Sequence, residues 1–173
     1  PPDRAKSAAS SSWSQRYAPL GRRTIVPMPL RLTERSACAG CASKMGSAEL
    51  SAILARVSLP THDRVLVGTA TGDDAGVVRL RDDLAIVQTV DFFTPIVDDP
   101  YTYGQIAAAN AVSHIYAMGG RPLTALAIAA PPKEGLAHAA IRAIFRGGLH
   151  WPPDHGVSPT GGHTVPARQV KVG

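Results

Sequence analysis

The sequence predicts a layered α/β domain: a mixed sheet, at least partly antiparallel, with helices on one face. Three observations carry this. Beyond residue 30, β-rich runs alternate with segments of helical periodicity. Two of those runs are separated only by Arg81-Asp82-Asp83, a turn-forming triplet that makes them a hairpin. A long Ala-rich segment stops at Gly119-Gly120, the punctuation of a helix C-terminus.

Residues 1–30 are rich in Ser, Ala, Pro and Arg, show neither period, and read as a tail or linker. The first helix is predicted over Ser47–Val57, with Ser47 as N-cap, Glu49 in the first turn and Pro60 as its limit. The hairpin follows as Gly76–Leu80 and Leu84–Val90. Tyr101–Gly120 repeats apolar residues every three or four positions and forms the second helix, which Pro122 keeps from continuing. Leu123–Ala130 is short and apolar, a buried strand. Gly135–Leu149 is a third, amphipathic helix, and Gly156–Val165 reads as a strand and a glycine turn.

A chain of 173 residues, 45% of them hydrophobic and 18% charged, suits one domain with a real core. The net charge of +5 belongs to the tail. Residues 1–31 hold Arg4, Lys6, Arg16, Arg22, Arg23 and Arg31 against Asp3, and the remainder is balanced. Residues 73–99 carry seven Asp against Arg79 and Arg81, the wrong sign for a nucleic-acid channel and the right one for a divalent cation. No apolar run is long enough to span a bilayer and no leader pattern is evident, so a soluble, cytoplasmic chain is expected.

Four places could carry chemistry. Cys38, Cys41 and Lys44 lie in a small-residue stretch directly before a helix, where a thiol is activated and anions are attracted; the plain alternative is two inert thiols. Asp73 and Asp74, after Gly72 and before a strand, can reach Mg²⁺ or simply face solvent. Asp91 follows a strand beside Phe92-Phe93, and either caps a turn or faces a site. Gly161-Gly162-His163-Thr164 is a small turn able to approach a nucleotide.

These elements resemble selenophosphate synthetase (selenide, water dikinase), of the superfamily that includes aminoimidazole ribonucleotide synthetase. LRLTERSACAGCASKMG, GDDAGVVRL, QTVDFFTPIVDDPYTYGQIAAANAVSHIYAMGGRPLTALAIAA and GVSPTGGHTV occur in that family's order. The resemblance implies that Cys41 and Lys44 are catalytic, with Lys44 also at the nucleotide. It makes Thr71, Gly72, Asp73, Asp91, Gly162, His163 and Thr164 ATP contacts and Asp74 a Mg²⁺ ligand. It further implies ATP and selenide as substrates, a homodimer paired through its sheets, and, from the Cys38-x-x-Cys41 variant, an upstream oxidoreductase domain.

Three departures stand out. His114 occupies the position of a metal-binding Asp, and a neutral imidazole is a poor ligand for hard Mg²⁺. Pro166 stands where an acidic residue is expected. The chain stops where the family's second domain, with a further metal-binding Asp, begins. The expectation is therefore an N-terminal ATP-binding and dimerising domain over residues 31–173, inactive by itself. The alternatives are a catalytically incompetent nucleotide-binding or dimerisation module, and a redox module using Cys38 and Cys41 alone.

Overall fold

The computed structural model describes residues 31–36, 44–150 and 156–173. Cys38 and Cys41 lie outside the described residues. After a short 3-10 turn at Thr33–Arg35, the elements are α1 (Ser47–Leu54), β1 (Val65–Val67), β2 (Gly76–Arg81), β3 (Leu84–Gln88), α2 (Pro100–Ala117), β4 (Thr124–Ala130), α3 (His138–His150), β5 (Ser158–Thr164) and β6 (Lys171–Val172).

The α/β class holds, with the strands divided between two three-stranded sheets. The hairpin forms as expected, Gly76 opposite Gln88 and Arg79 opposite Ala85, and β1 adds an outer antiparallel strand that the sequence reading had not assigned. The second sheet is the mixed one, in the order β5-β4-β6. Strand β4 is parallel to β5 across the α3 crossover and antiparallel to β6. Phe93 extends this sheet by bridging Val172, each residue donating its N–H to the other's carbonyl at 3.2 Å.

Helix α1 begins one residue earlier than expected. Gly46 occupies the N-cap position, Ser47 is already helical, and among the described residues no side chain caps the end. Helix α2 is better specified. The Asp99 carboxylate accepts from the Thr102 N–H at 2.8 Å and its hydroxyl at 2.7 Å, and Pro100 fills the first turn, where no amide hydrogen is needed. At the far end Gly119 turns the backbone at φ 71° and the Gly120 N–H reaches back to the Ile115 carbonyl at 2.9 Å.

Helices α2 and α3 cross backbone to backbone. A Cβ on Gly104 would run into the Ile144 carbonyl, and one on Gly147 into the Tyr101 carbonyl. Around this crossing Leu32, Phe93, Tyr103, Ala107, Leu136, Ala140, Ile144 and Val170 form the core. Leu32, fully buried, draws the N-terminal segment onto the domain, and Thr33 fixes it by donating its N–H (3.1 Å) and hydroxyl (2.7 Å) to Asp98. The hydroxyl and N–H of Thr33 hold the Asp98 carboxyl below its ordinary range. Burial pushes the Tyr103 phenol up, and its O–H donates to the Phe93 carbonyl at 2.5 Å. No described helix is long and apolar enough to cross a membrane.

Candidate functional site

Residues 103, 107, 110 and 114 of α2 fall at intervals of four, three and four, so they form one stripe along the helix. At its N-terminal end the stripe is core: Tyr103 and Ala107 are buried. At its C-terminal end it turns polar as Asn110 and His114, and this polar half lies over the segment that follows β3, where Asp91 is held only 6% exposed.

Asp91 is the hub. Its Oδ1 meets the Lys44 ammonium at 2.7 Å, and its Oδ2 accepts from Asn110 Nδ2 at 2.7 Å, with His114 Nε2 at 3.4 Å. Burial alone would push this carboxyl up. The hydrogen bonds from Lys44 and Asn110, with the charges of Lys44 and His114, outweigh it and hold Asp91 below its ordinary value of 3.8. The Lys44 side chain, paired with Asp91, is 44% exposed and so also reaches solvent.

The loop between β1 and β2 joins the hub through its backbone. Its turn is closed by the Thr71 N–H (3.3 Å) and hydroxyl (2.9 Å) on the Gly68 carbonyl, and Gly72 supplies the left-handed residue at φ 67°. The Asp74 carbonyl receives the Thr89 hydroxyl at 3.1 Å and lies 3.1 Å from His114 Nδ1, while Asp73 and Asp74 are exposed. Thus Lys44, Asp91, His114 and the Thr71–Asp74 loop come together.

Gly162, His163 and Thr164 do not join them. They form the end of strand β5 rather than a turn, exposed throughout. Backbone pairing explains the difference. Gly161, at φ 145°, takes up the register shift beside Leu126, and Gly162 packs so close to the Ala127 backbone that only a glycine fits, so the run continues alongside β4. Thr164, Ala129, Val172 and Phe93 lie in one row across the sheet, which separates Thr164 from Phe93 by about 14 Å, three strand spacings. Asn110, by contrast, went unassigned in the sequence. The signal was there, since it is a polar residue on the stripe that otherwise packs inward.

A divalent ion does not fit the hub as it stands. Both Asp91 oxygens already accept hydrogen bonds or face cations, His114 offers no negative charge, and among the described residues no three His, Cys, Asp or Glu draw together as a metal centre. Asp73 and Asp74 remain as exposed carboxylates on the loop.

The layout of a crossed helix pair, a mixed sheet and a side hairpin recurs in solved structures. The protein tt0281 of Thermus thermophilus matches with a TM-score of 0.59 and 25% identity over 73% of this chain and 41% of its own. Thiamine monophosphate kinase from Aquifex aeolicus matches with a TM-score of 0.52 and 18% identity over 74% of this chain and 41% of its own, a likeness of fold alone. The class is therefore an α/β domain that these longer chains carry as one part. Within that class, residues 72–173 match the model of the AIR synthase related protein, N-terminal domain, and the chain belongs to that family. Among curated proteins, the selenide, water dikinase of Pelobacter propionicus is 49% identical over 144 residues, 83% of this chain and 41% of the relative. Those of Porphyromonas gingivalis and Pseudomonas straminea are 48% and 50% identical over 73% and 78% of this chain, covering 36% and 38% of their own lengths. The chain spans about two fifths of the length of these relatives.

Proposed function

We propose that the chain is the N-terminal, ATP-binding and dimerising portion of a selenide, water dikinase, which converts ATP, selenide and water to selenophosphate, AMP and phosphate in the cytoplasm. The observation that carries the reading is the Lys44–Asp91–Asn110 cluster, set in a chain that is 48 to 50% identical to proteins of that name. Phosphoryl transfer asks a protein for positioning and for positive charge where phosphate charge develops. Lys44 supplies that charge, and Asp91, itself located by Asn110, keeps the ammonium at the mouth of the site. Thr71, Gly72 and Asp73, with Gly162, His163 and Thr164 on β5, are further nucleotide contacts in this proposal. Cys41, three residues before Lys44, is the group that handles selenium.

Dimerisation is supported by apolar surface on strands: Val65, Leu66, Leu84 and Ile86 on the first sheet and Leu126 on the second are 41 to 67% exposed, and β5 is an open edge.

The test is to pair the chain with the part of a relative that it does not cover. The chain is co-expressed with the C-terminal part of the Pelobacter relative, and AMP release is followed with and without selenide. Selenide-dependent AMP that disappears in Lys44→Ala supports the proposal. ATP binding without selenide-dependent turnover would favour the nucleotide-binding or dimerisation module instead.

A further inference from the structure

His114 touches two separate segments. Its Nδ1 lies 3.1 Å from the carbonyl of Asp74, on the loop before β2, and its Nε2 lies 3.4 Å from the carboxylate of Asp91, beyond β3. A carbonyl oxygen only accepts, so the Nδ1 contact is a hydrogen bond only if the ring carries its proton there. The same carbonyl takes the Thr89 hydroxyl at 3.1 Å, so both of its lone pairs are engaged by donors rooted outside the loop. The ring is half-buried, with 22% of its side chain exposed, and it sits on a rigid helix one turn beyond Asn110. The loop is otherwise closed on itself by the Thr71 hydrogen bonds to the Gly68 carbonyl; residues 71–74 are all exposed, and among the described residues nothing lies within 4 Å of a Cβ built on Gly72.

We propose that His114 is a positioning residue, a strut that ties the backbone of the Gly72–Asp74 loop to the Asp91 hub and presets the two loop carboxylates without a divalent ion. A carboxylate at this position could join the same two segments only through a bridging cation, because a carboxylate and a carbonyl are both acceptors. Histidine donates to the carbonyl directly, from the same helix whose Asn110 already holds Asp91. The inference stands on this geometry and does not require that selenide be the substrate.

The full 173-residue chain is examined without nucleotide, so that the outcome is separate from that of the turnover test. Amide hydrogen exchange at residues 71–76 is compared for the wild type, His114→Ala, His114→Asn and His114→Gln, with and without millimolar Mg²⁺. Losing one hydrogen bond of ordinary strength raises the exchange of loop amides about fivefold in His114→Ala. Asn places its amide nitrogen near the position of Nδ1 and restores most of the protection; Gln, which reaches toward the position of Nε2, does not. In the wild type, a long-range ¹H–¹⁵N spectrum shows a proton on Nδ1, and Mg²⁺ leaves the loop's protection unchanged. The proposal is overturned by an Nε2-protonated neutral ring, by equal protection in the Asn and Gln variants, or by loop protection that rises with Mg²⁺ in the wild type. If His114→Ala fails to fold, the Asn and Gln comparison decides.

Discussion

Asp91→Ala removes the hub and leaves its partners in place. Asn110 loses the acceptor it donates to at 2.7 Å, and Lys44 loses a counter-ion at 2.7 Å. Breaking a fully buried ion pair from one side costs about 3–5 kcal/mol, but the Lys44 side chain is 44% exposed and its ammonium recovers water, which brings the expected cost down to about 2–3 kcal/mol. For a chain of this size that lowers Tm by roughly 5–10 °C, measured by calorimetry or circular dichroism. Lys44→Met also destabilises, because it leaves the buried Asp91 carboxylate short of its cation. The double variant therefore loses less than the two single variants together, a coupling of about 1–2 kcal/mol. The pH dependence has a fixed sign. A carboxyl held below 3.8 in the folded state contributes its stabilisation in full above that ordinary value and loses it as the pH falls through the folded-state value. The Tm difference between wild type and Asp91→Ala should accordingly be constant near neutrality and shrink in acid below about pH 4. A variant within 1 °C of wild type, taking ~1 °C as well inside the shift expected of a single kcal/mol, or strict additivity with Lys44→Met, would refute the reasoning.

Three further outcomes are expected. Gly104→Ala drives a methyl into the Ile144 carbonyl and forces α2 and α3 apart, costing more than about 3 kcal/mol, whereas Gly46→Ala, with nothing near its Cβ, is tolerated; chemical denaturation of both variants checks the contrast. His114→Asp returns a carboxylate to the hub and should tighten Mg-ATP binding in calorimetric titrations, by a gain that shrinks as salt rises; equal affinity in the two versions contradicts it. The chain should scatter light as a dimer at tens of micromolar, a concentration ~10-fold or more above the Kd of an ordinary stable interface, and Leu126→Asp, at an exposed position of β4, should shift it toward monomer.

What the sequence disclosed was local. The Asp99-Pro100 start and the Gly119-Gly120 stop of α2 are written in adjacent residues, and the hairpin follows from two apolar runs and the turn between them. Lys44, Asp91 and His114 were legible through a resemblance carried by separate blocks between residues 30 and 165, and they do meet. What was not legible depended on distant partners. The division into two sheets is decided by which strands find β4, and β6 comes to it from the far end of the sequence. Gly161-Gly162 has the composition of a turn, and only the presence of β4 alongside makes it a strand. Asn110 looks like one polar residue in an Ala-rich helix until Asp91 is placed beneath it. Ser47 is a better capping residue than Gly46, yet the helix starts at Ser47 itself, with no side chain among the described residues capping that end.

The pairing of Phe93 with Val172 also bears on the order in which the molecule can be assembled. It closes a loop of roughly 80 residues, and the contacts of Gly173 with Ile128 belong to the same late closure, so these are among the contacts whose entropy is hardest to recover early in folding. On a ribosome, the helices, the hairpin and β4 are all available before β6 has been synthesised. Asp91 lies two residues from that pairing, and its own backbone packs against Gly173. The carboxylate that gathers Lys44, Asn110 and His114 is thus fixed in place by Val172 and Gly173, neither of which bears a polar side chain.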